Sequence, residues 1–149
     1  MSGRLFISIF LALAALFGAA MWYFQIYAYY EETVGLSEIR AGGRSIPVAN
    51  YRGIDADTSP NKLRACFEVE PGLFADLPPA PEPDPLMAPG WFECFDARAI
   101  AAALASGQAV AYLAADETPA TATGYEILRI IAVYSDGRAY LWRHYRDSE

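Results

Sequence analysis

The chain has 149 residues and a mass of 16.3 kDa, the size of one domain. With 54% hydrophobic and 19% charged residues it is not a wholly disordered polymer, which needs low hydrophobicity and high charge. Eleven basic residues against 18 acidic give a formal net charge of -7. Such a chain offers no cationic surface to neutralise phosphates, so nucleic acid is excluded as a partner class.

The apolar residues are concentrated at the amino terminus. Leu5 to Tyr30 contains no charged residue, and about 24 helical residues at ~1.5 Å each cross a ~30 Å hydrocarbon core with some tilt. Residues 1–30 are therefore predicted to be a membrane anchor, with a cytoplasmic tip at 1–4 and a span over about 5–28. Trp22, Tyr23, Tyr27, Tyr29 and Tyr30 form the expected interfacial belt, together with Phe24, since rings with polar tips settle at the membrane–water boundary. Arg4 precedes the span while Glu31 and Glu32 follow it, which places the amino terminus inside and the body outside. A signal peptide cut before Met21 is the competing reading, because Gly18 and Ala20 satisfy the small-residue rule. Against it, the apolar stretch exceeds the usual ~7–15 residues, and both readings send the body to the same side. Ala14 with Gly18, and Ala15 with Ala19, lie four apart and would let a second helix approach closely.

Residues 31–149 hold all 18 acids and 10 of the 11 bases, a net -8. Their only cysteines are Cys66 and Cys94, expected to form a structural disulfide in an oxidising compartment. A redox pair would call for Cys-x-x-Cys spacing, and two thiols with one histidine are too few for a metal. Ser45–Arg52 is predicted as an edge strand that tolerates Pro47. Asp55 to Pro60 has the oxygen-rich look of a calcium loop but lacks the further ligands and the bidentate glutamate, and so reads as a turn. Leu63–Val69 is predicted as the strand carrying Cys66. The Pro-rich loop, residues 77–90, is expected to run extended, as a stiff surface segment or as a ligand for an aromatic groove elsewhere.

Asp96 is the expected N-cap of a helix, with Phe95 and Ile100 as hydrophobic staple, Ile100 and Leu104 on one face and Gly107 as left-handed stop. Gln108–Ala114 follows as a strand. Ile127–Tyr134 and Ala139–Tyr145 are predicted to form a hairpin around Asp136-Gly137, read as a two-residue type I′ loop. In that register Val133 faces Tyr140, Ile131 faces Trp142 and Arg129 faces His144. Tyr140 and Trp142 are then a stripe belonging to the core beneath the helix or, failing that, to an exposed contact surface. His144, the only histidine, has no carboxylate to orient it and reads as an ordinary strand residue. No triad, phosphate loop or paired-histidine motif occurs, so the sequence supplies no catalytic, cofactor-binding or metal residues.

Gly53-Ile54-Asp55-Ala56-Asp57 with Ser59-Pro60, Arg64-Ala65-Cys66-Phe67, Ala88-Pro89-Gly90-Trp91-Phe92-Glu93-Cys94-Phe95-Asp96 and Tyr134-Ser135-Asp136-Gly137-Arg138 together carry a resemblance. The chain resembles an uncharacterised family of short, single-pass bacterial membrane proteins whose domain has no known function. Members of that family are sometimes labelled histidine kinases, a label this sequence contradicts because it has neither a glycine-rich nucleotide loop nor room for an ATP-binding domain. The resemblance implies architecture and brings no activity with it.

The expected architecture is α+β: one transmembrane helix, then a small antiparallel-sheet domain with one main helix and one disulfide. The expected function is a non-catalytic module at the outer, periplasmic face of a bacterial inner membrane, binding lipid through its helix and a membrane or periplasmic protein through its domain. The -8 domain favours a basic partner, a basic electron carrier being one example. Two other classes have their own signatures. A small-ligand sensor needs a closed apolar pocket beneath the hairpin, and a carboxylate- or thiol-dependent enzyme needs Asp55, Asp57 and Glu93 to converge in a cleft.

Overall fold

A computed structural model describes residues 2–148. The chain divides into two units, residues 1–30 and 31–149. The first is helix α1 (Gly3–Ile26), apolar on every side with no buried residue, and long and apolar enough to cross a membrane. It stops two residues short of the predicted end. Tyr27 leaves helical geometry at φ −121°, ψ −51°, so Tyr27, Tyr29 and Tyr30 follow the helix rather than belong to it. Ser8, the one hydroxyl of the first turns, donates back to the Arg4 carbonyl at 3.0 Å and so needs no water. Trp22, Tyr23 and Tyr27 pack ring against ring at 5.7 and 6.4 Å.

The second unit is built on a six-stranded antiparallel sheet with β1 (Glu31–Val34), β4 (Ala49–Asp55), β5 (Arg64–Glu68), β6 (Ala109–Asp116), β7 (Tyr125–Tyr134) and β8 (Arg138–Asp147). Their spatial order is β1-β4-β5-β8-β7-β6. A small hairpin, β2 (Glu38–Ala41) and β3 (Arg44–Pro47), covers one face, and helix α2 (Ala97–Ser106) belongs with the other. The predicted edge strand over 45–52 is thus two elements. Gly42 and Gly43, at φ +60° and +78°, make the two-residue type I′ turn joining β2 to β3, and Pro47 ends β3. Gly42 also sits where any Cβ would strike the Leu77 side chain. Asn50, at φ +53°, marks an irregularity in the β4–β5 pairing, between Ala49 and Arg52.

The face under the β2–β3 hairpin holds the main core: Ile39, Ala41 and Ile46 from the hairpin lie against Ala65, Phe67, Ile131, Val133 and Leu141 of the sheet. Alternation sends Trp142, Ile130 and Leu128 to the opposite face. There Phe95, just before α2, meets Trp142 and Tyr140 edge-on at 6.3 and 6.0 Å. α2 forms as its sequence predicts. Asp96 accepts from the amides of Arg98 and Ala99 at 3.0 and 3.1 Å, Ala97, Ile100 and Ala103 are buried, and Gly107 closes the helix at φ +76°. The disulfide joins Cys94, two residues before that cap, to Cys66 on β5, with Cα atoms 6.3 Å apart. It ties the start of the helix to the middle of the sheet.

The terminal hairpin is shifted by one residue from its predicted register. Val133 pairs with Ala139, Ile131 with Leu141, Ile130 with Trp142, Arg129 with Arg143 and Leu128 with His144. The loop is three residues long, Ser135 to Gly137: the Gly137 amide donates to the Tyr134 carbonyl at 3.1 Å and Gly137 takes φ +92°. Such a loop is a type I turn completed by a left-handed glycine, and Asp136 stabilises it by accepting from the Arg138 amide at 3.0 Å. A one-residue slip changes which strand residues share a face. Trp142 consequently stands on the helix side at 0% exposure, as core and not as a contact surface, while Tyr140 is half-buried beside it.

The Pro-rich loop is extended, as expected, and bound to its own domain. Leu113 donates to the Pro78 carbonyl at 2.9 Å and Ala80 donates to Ala111 at 3.0 Å, so this segment runs along β6 and covers that edge of the sheet. Further on, Arg64 donates to the carbonyls of Leu86 and Met87 at 2.8 and 3.1 Å.

Candidate functional site

The register that buries Trp142 sets two arginines opposite each other. Arg129 on β7 and Arg143 on β8 are direct cross-strand neighbours on the face carrying the β2–β3 hairpin. Like charges in that position oppose pairing, so the sheet must hold them with acids. Glu117, just past β6, does this with both oxygens: Arg143 Nε donates to Oε2 at 2.5 Å, and Arg129 Nη1 lies 3.3 Å from Oε1. Arg129 Nη2 also donates to the Arg40 carbonyl of β2 at 3.2 Å, while its buried Nε has no hydrogen-bond partner among the described residues. The Arg143 fork reaches toward Asp55 at the end of β4, where the contacts are longer, 3.4 and 3.3 Å.

These groups border an open cleft of about 360 Å³ between the β2–β3 hairpin and the end of the sheet. Arg40 and Glu38 stand on its β2 side, Asp55 and Arg143 on its sheet side, and Leu63 and Leu141 supply apolar wall. Tyr51 lines it too. On β4, Tyr51 and Gly53 share a face, and the phenol lies so close over Gly53 that a Cβ there would meet Tyr51 Oη at 2.7 Å. Glycine at 53 is what lets the ring point toward Asp55. The other side of the ring stacks on Phe67 at 5.9 Å. Tyr51 is only 7% exposed, and burial, reinforced by the Asp55 charge and opposed by Arg129, pushes its pKa up, so it stays a protonated donor.

The residues singled out from sequence fall elsewhere or apart. Asp55 joins the cleft, with its Oδ1 also accepting from the Ala56 amide at 2.8 Å. Asp57 is exposed on the following turn, and Glu93 borders a different depression at the start of α2. The three carboxylates do not converge. Both sulfurs are consumed in the disulfide. Among the described residues no group of three or more His, Cys, Asp or Glu side chains could hold a metal ion. Within the β7–β8 hairpin, Ile130 and Trp142 on the helix side and Ile131 on the other face are wholly buried. His144 faces Leu128 instead of Arg129 because of the shifted register; it is 5% exposed, with Nδ1 3.4 Å from the Asp84 carbonyl of the Pro-rich loop. Tyr51, Glu117 and the Arg129–Arg143 pair had no sequence motif to mark them; a three-residue hairpin loop would have brought the arginines together.

Fold and site define a class: an apolar amino-terminal helix followed by a small antiparallel-sheet domain closed by one disulfide, with a charged cleft at one end of its sheet. The chain belongs to a family of unknown function (DUF6446), which matches residues 34–148 and so takes in β2 to β8, α2 and both cysteines. No curated protein and no solved structure matches the chain.

Proposed function

We propose that the chain is a non-catalytic, membrane-tethered interaction module, held with its amino terminus inside and its domain in the periplasm of a bacterium. There it serves as an accessory or assembly subunit of a membrane complex. The disulfide favours an oxidising compartment, and Arg4 before the apolar helix with Glu31 and Glu32 after it favours that orientation.

One observation carries the interaction reading: the two edges of the sheet are treated differently. The β6 edge is covered at Ala111–Leu113 by the Pro-rich loop, whereas β1 is exposed along all four residues and, among the described residues, pairs only with β4. Gly35 donates to the Tyr51 carbonyl at 2.9 Å, so by antiparallel alternation Thr33 bonds inward while Glu32 and Val34 turn their backbone groups outward. An uncovered edge accepts an added strand. Its acids, Glu31 and Glu32, and the -8 domain select an extended segment bearing lysine or arginine.

The test is extraction of tagged full chain in mild detergent, alongside Val34→Pro, which deletes an outward amide and leaves the β4 ladder intact. A co-purifying basic protein that protects the Glu32 and Val34 amides from hydrogen exchange, and is lost with Val34→Pro, supports the reading. Recovery of the chain alone and monomeric refutes it, as does retention of the partner by the proline variant.

A further inference from the structure

Beyond strand addition at β1, we propose that the cleft bounded by Arg40, Tyr51, Asp55 and Arg143 is a binding site for a small organic acid, an oxyanion head on a short apolar body. Three features that a purely structural ion-pair network does not need support this. Arg129 and Arg143 stand directly opposite each other, an arrangement that costs stability and that Glu117 offsets, leaving the outer Arg143 fork to the long Asp55 contacts. Tyr51, 7% exposed as a residue, lines the cleft, and among the described residues no hydrogen bond engages its hydroxyl, which keeps contact with solvent. A hydroxyl free of protein acceptors is available to donate, and a bound anion supplies an acceptor in place of water. The room for the phenol comes from Gly53, the one residue type that the ring can overlie at that distance.

The cleft also has a means of admission. Glu117 holds Arg143 at Nε, which leaves the outer fork, Nη1 and Nη2, to the long Asp55 contacts. Asp55 is 42% exposed and keeps the Ala56 amide when it releases the arginine. An incoming carboxylate takes the fork that Asp55 gives up, because guanidinium geometry matches a planar two-oxygen acceptor. Arg40 at the rim adds charge, and Leu63 and Leu141 receive the apolar part. The volume of about 360 Å³ lies at the small end of the range for ligand sites.

Full chain in detergent micelles, titrated at constant ionic strength with benzoate, succinate and inorganic phosphate against chloride, tests the assignment. The expected result is a saturable shift of the Tyr51 ring and Arg143 guanidinium resonances, with benzoate binding more tightly than phosphate. Tyr51→Phe weakens benzoate about fivefold, the equivalent of one neutral hydrogen bond. Asp55→Asn, by removing the internal competitor, strengthens it about two- to fivefold. No saturable shift with any of the three anions overturns the proposal, as does tighter binding of phosphate than of benzoate. Equal benzoate affinity in wild type and Tyr51→Phe also overturns it, and this comparison stands even if Asp55→Asn fails to fold. None of these readouts depends on a protein bound at β1, so the two readings fail separately.

Discussion

Arg64 shows how one residue can organise a loop. Only 4% exposed on the helix-side face of β5, it donates to the carbonyls of Asn61, Leu63, Leu86 and Met87 and lies 5.7 Å over the Phe95 ring. A guanidinium has five donors in a fixed fork, so it can bind these four carbonyls at once, one more than the three N–H groups of an ammonium reach. Two acids at turns contribute to the response to pH. Hydrogen bonds from the Thr118 hydroxyl and amide hold Asp116 below the usual carboxylate range, and the Arg138 amide and guanidinium do the same for Asp136. A depressed folded pKa stabilises above the unfolded value, and that contribution is lost as pH falls through the folded one. Melting temperature therefore declines as pH drops from about 5 to about 2, in the titration range of carboxylates. The Asp116→Asn, Asp136→Asn double variant melts lower near neutrality and declines less steeply, as thermal denaturation followed by circular dichroism will show. Single residues were legible in the sequence where they act locally, as at Asp96 and Gly107. Tyr51 was not, because its meaning depends on Gly53 beneath it and Arg129 three strands away in the spatial order.

Elements were legible according to how local their determinants are. α2 is specified within a dozen residues by cap, staple and stop, and it formed as read. The terminal hairpin was found, but its register turned on whether Asp136-Gly137 is the whole loop or the end of a three-residue one. Both options place glycine where φ is positive, so the dipeptide alone does not choose between them. That single step concealed the Arg129–Arg143 pair. The short strands β1 and β2 carry four residues each and owe their pairing to distant partners, so periodicity had little to work on. The Cys66–Cys94 pairing, in contrast, followed from arithmetic. With 28 residues of separation the bridge contributes about 3–4 kcal/mol in the chain-entropy model. The Cys66→Ala, Cys94→Ala double variant is expected to melt about 10–15 °C lower, and wild type reduced with dithiothreitol should match it.

For the whole molecule, the division at Tyr30 was visible as a change in composition, and the structure divides in the same place. A 24-residue apolar helix with no buried face has no partner within its own unit, which is the condition lipid satisfies. Expressed as the full chain, the protein is expected to stay in the membrane pellet after alkaline carbonate, and to be released by detergent. Recovery of chains that begin near Met21 in the soluble fraction would show instead that the helix is removed.

The Pro-rich loop has a consequence for how far such an assembly can grow. A sheet open at both margins is a repeating tile and can polymerise without limit; one sealed by its own chain is a terminator. A strand laid beside β1 would find, at the far margin, Ala111 and Leu113 already bonded to Ala80 and Pro78, so growth through those positions is blocked and a closed pair is favoured over a filament.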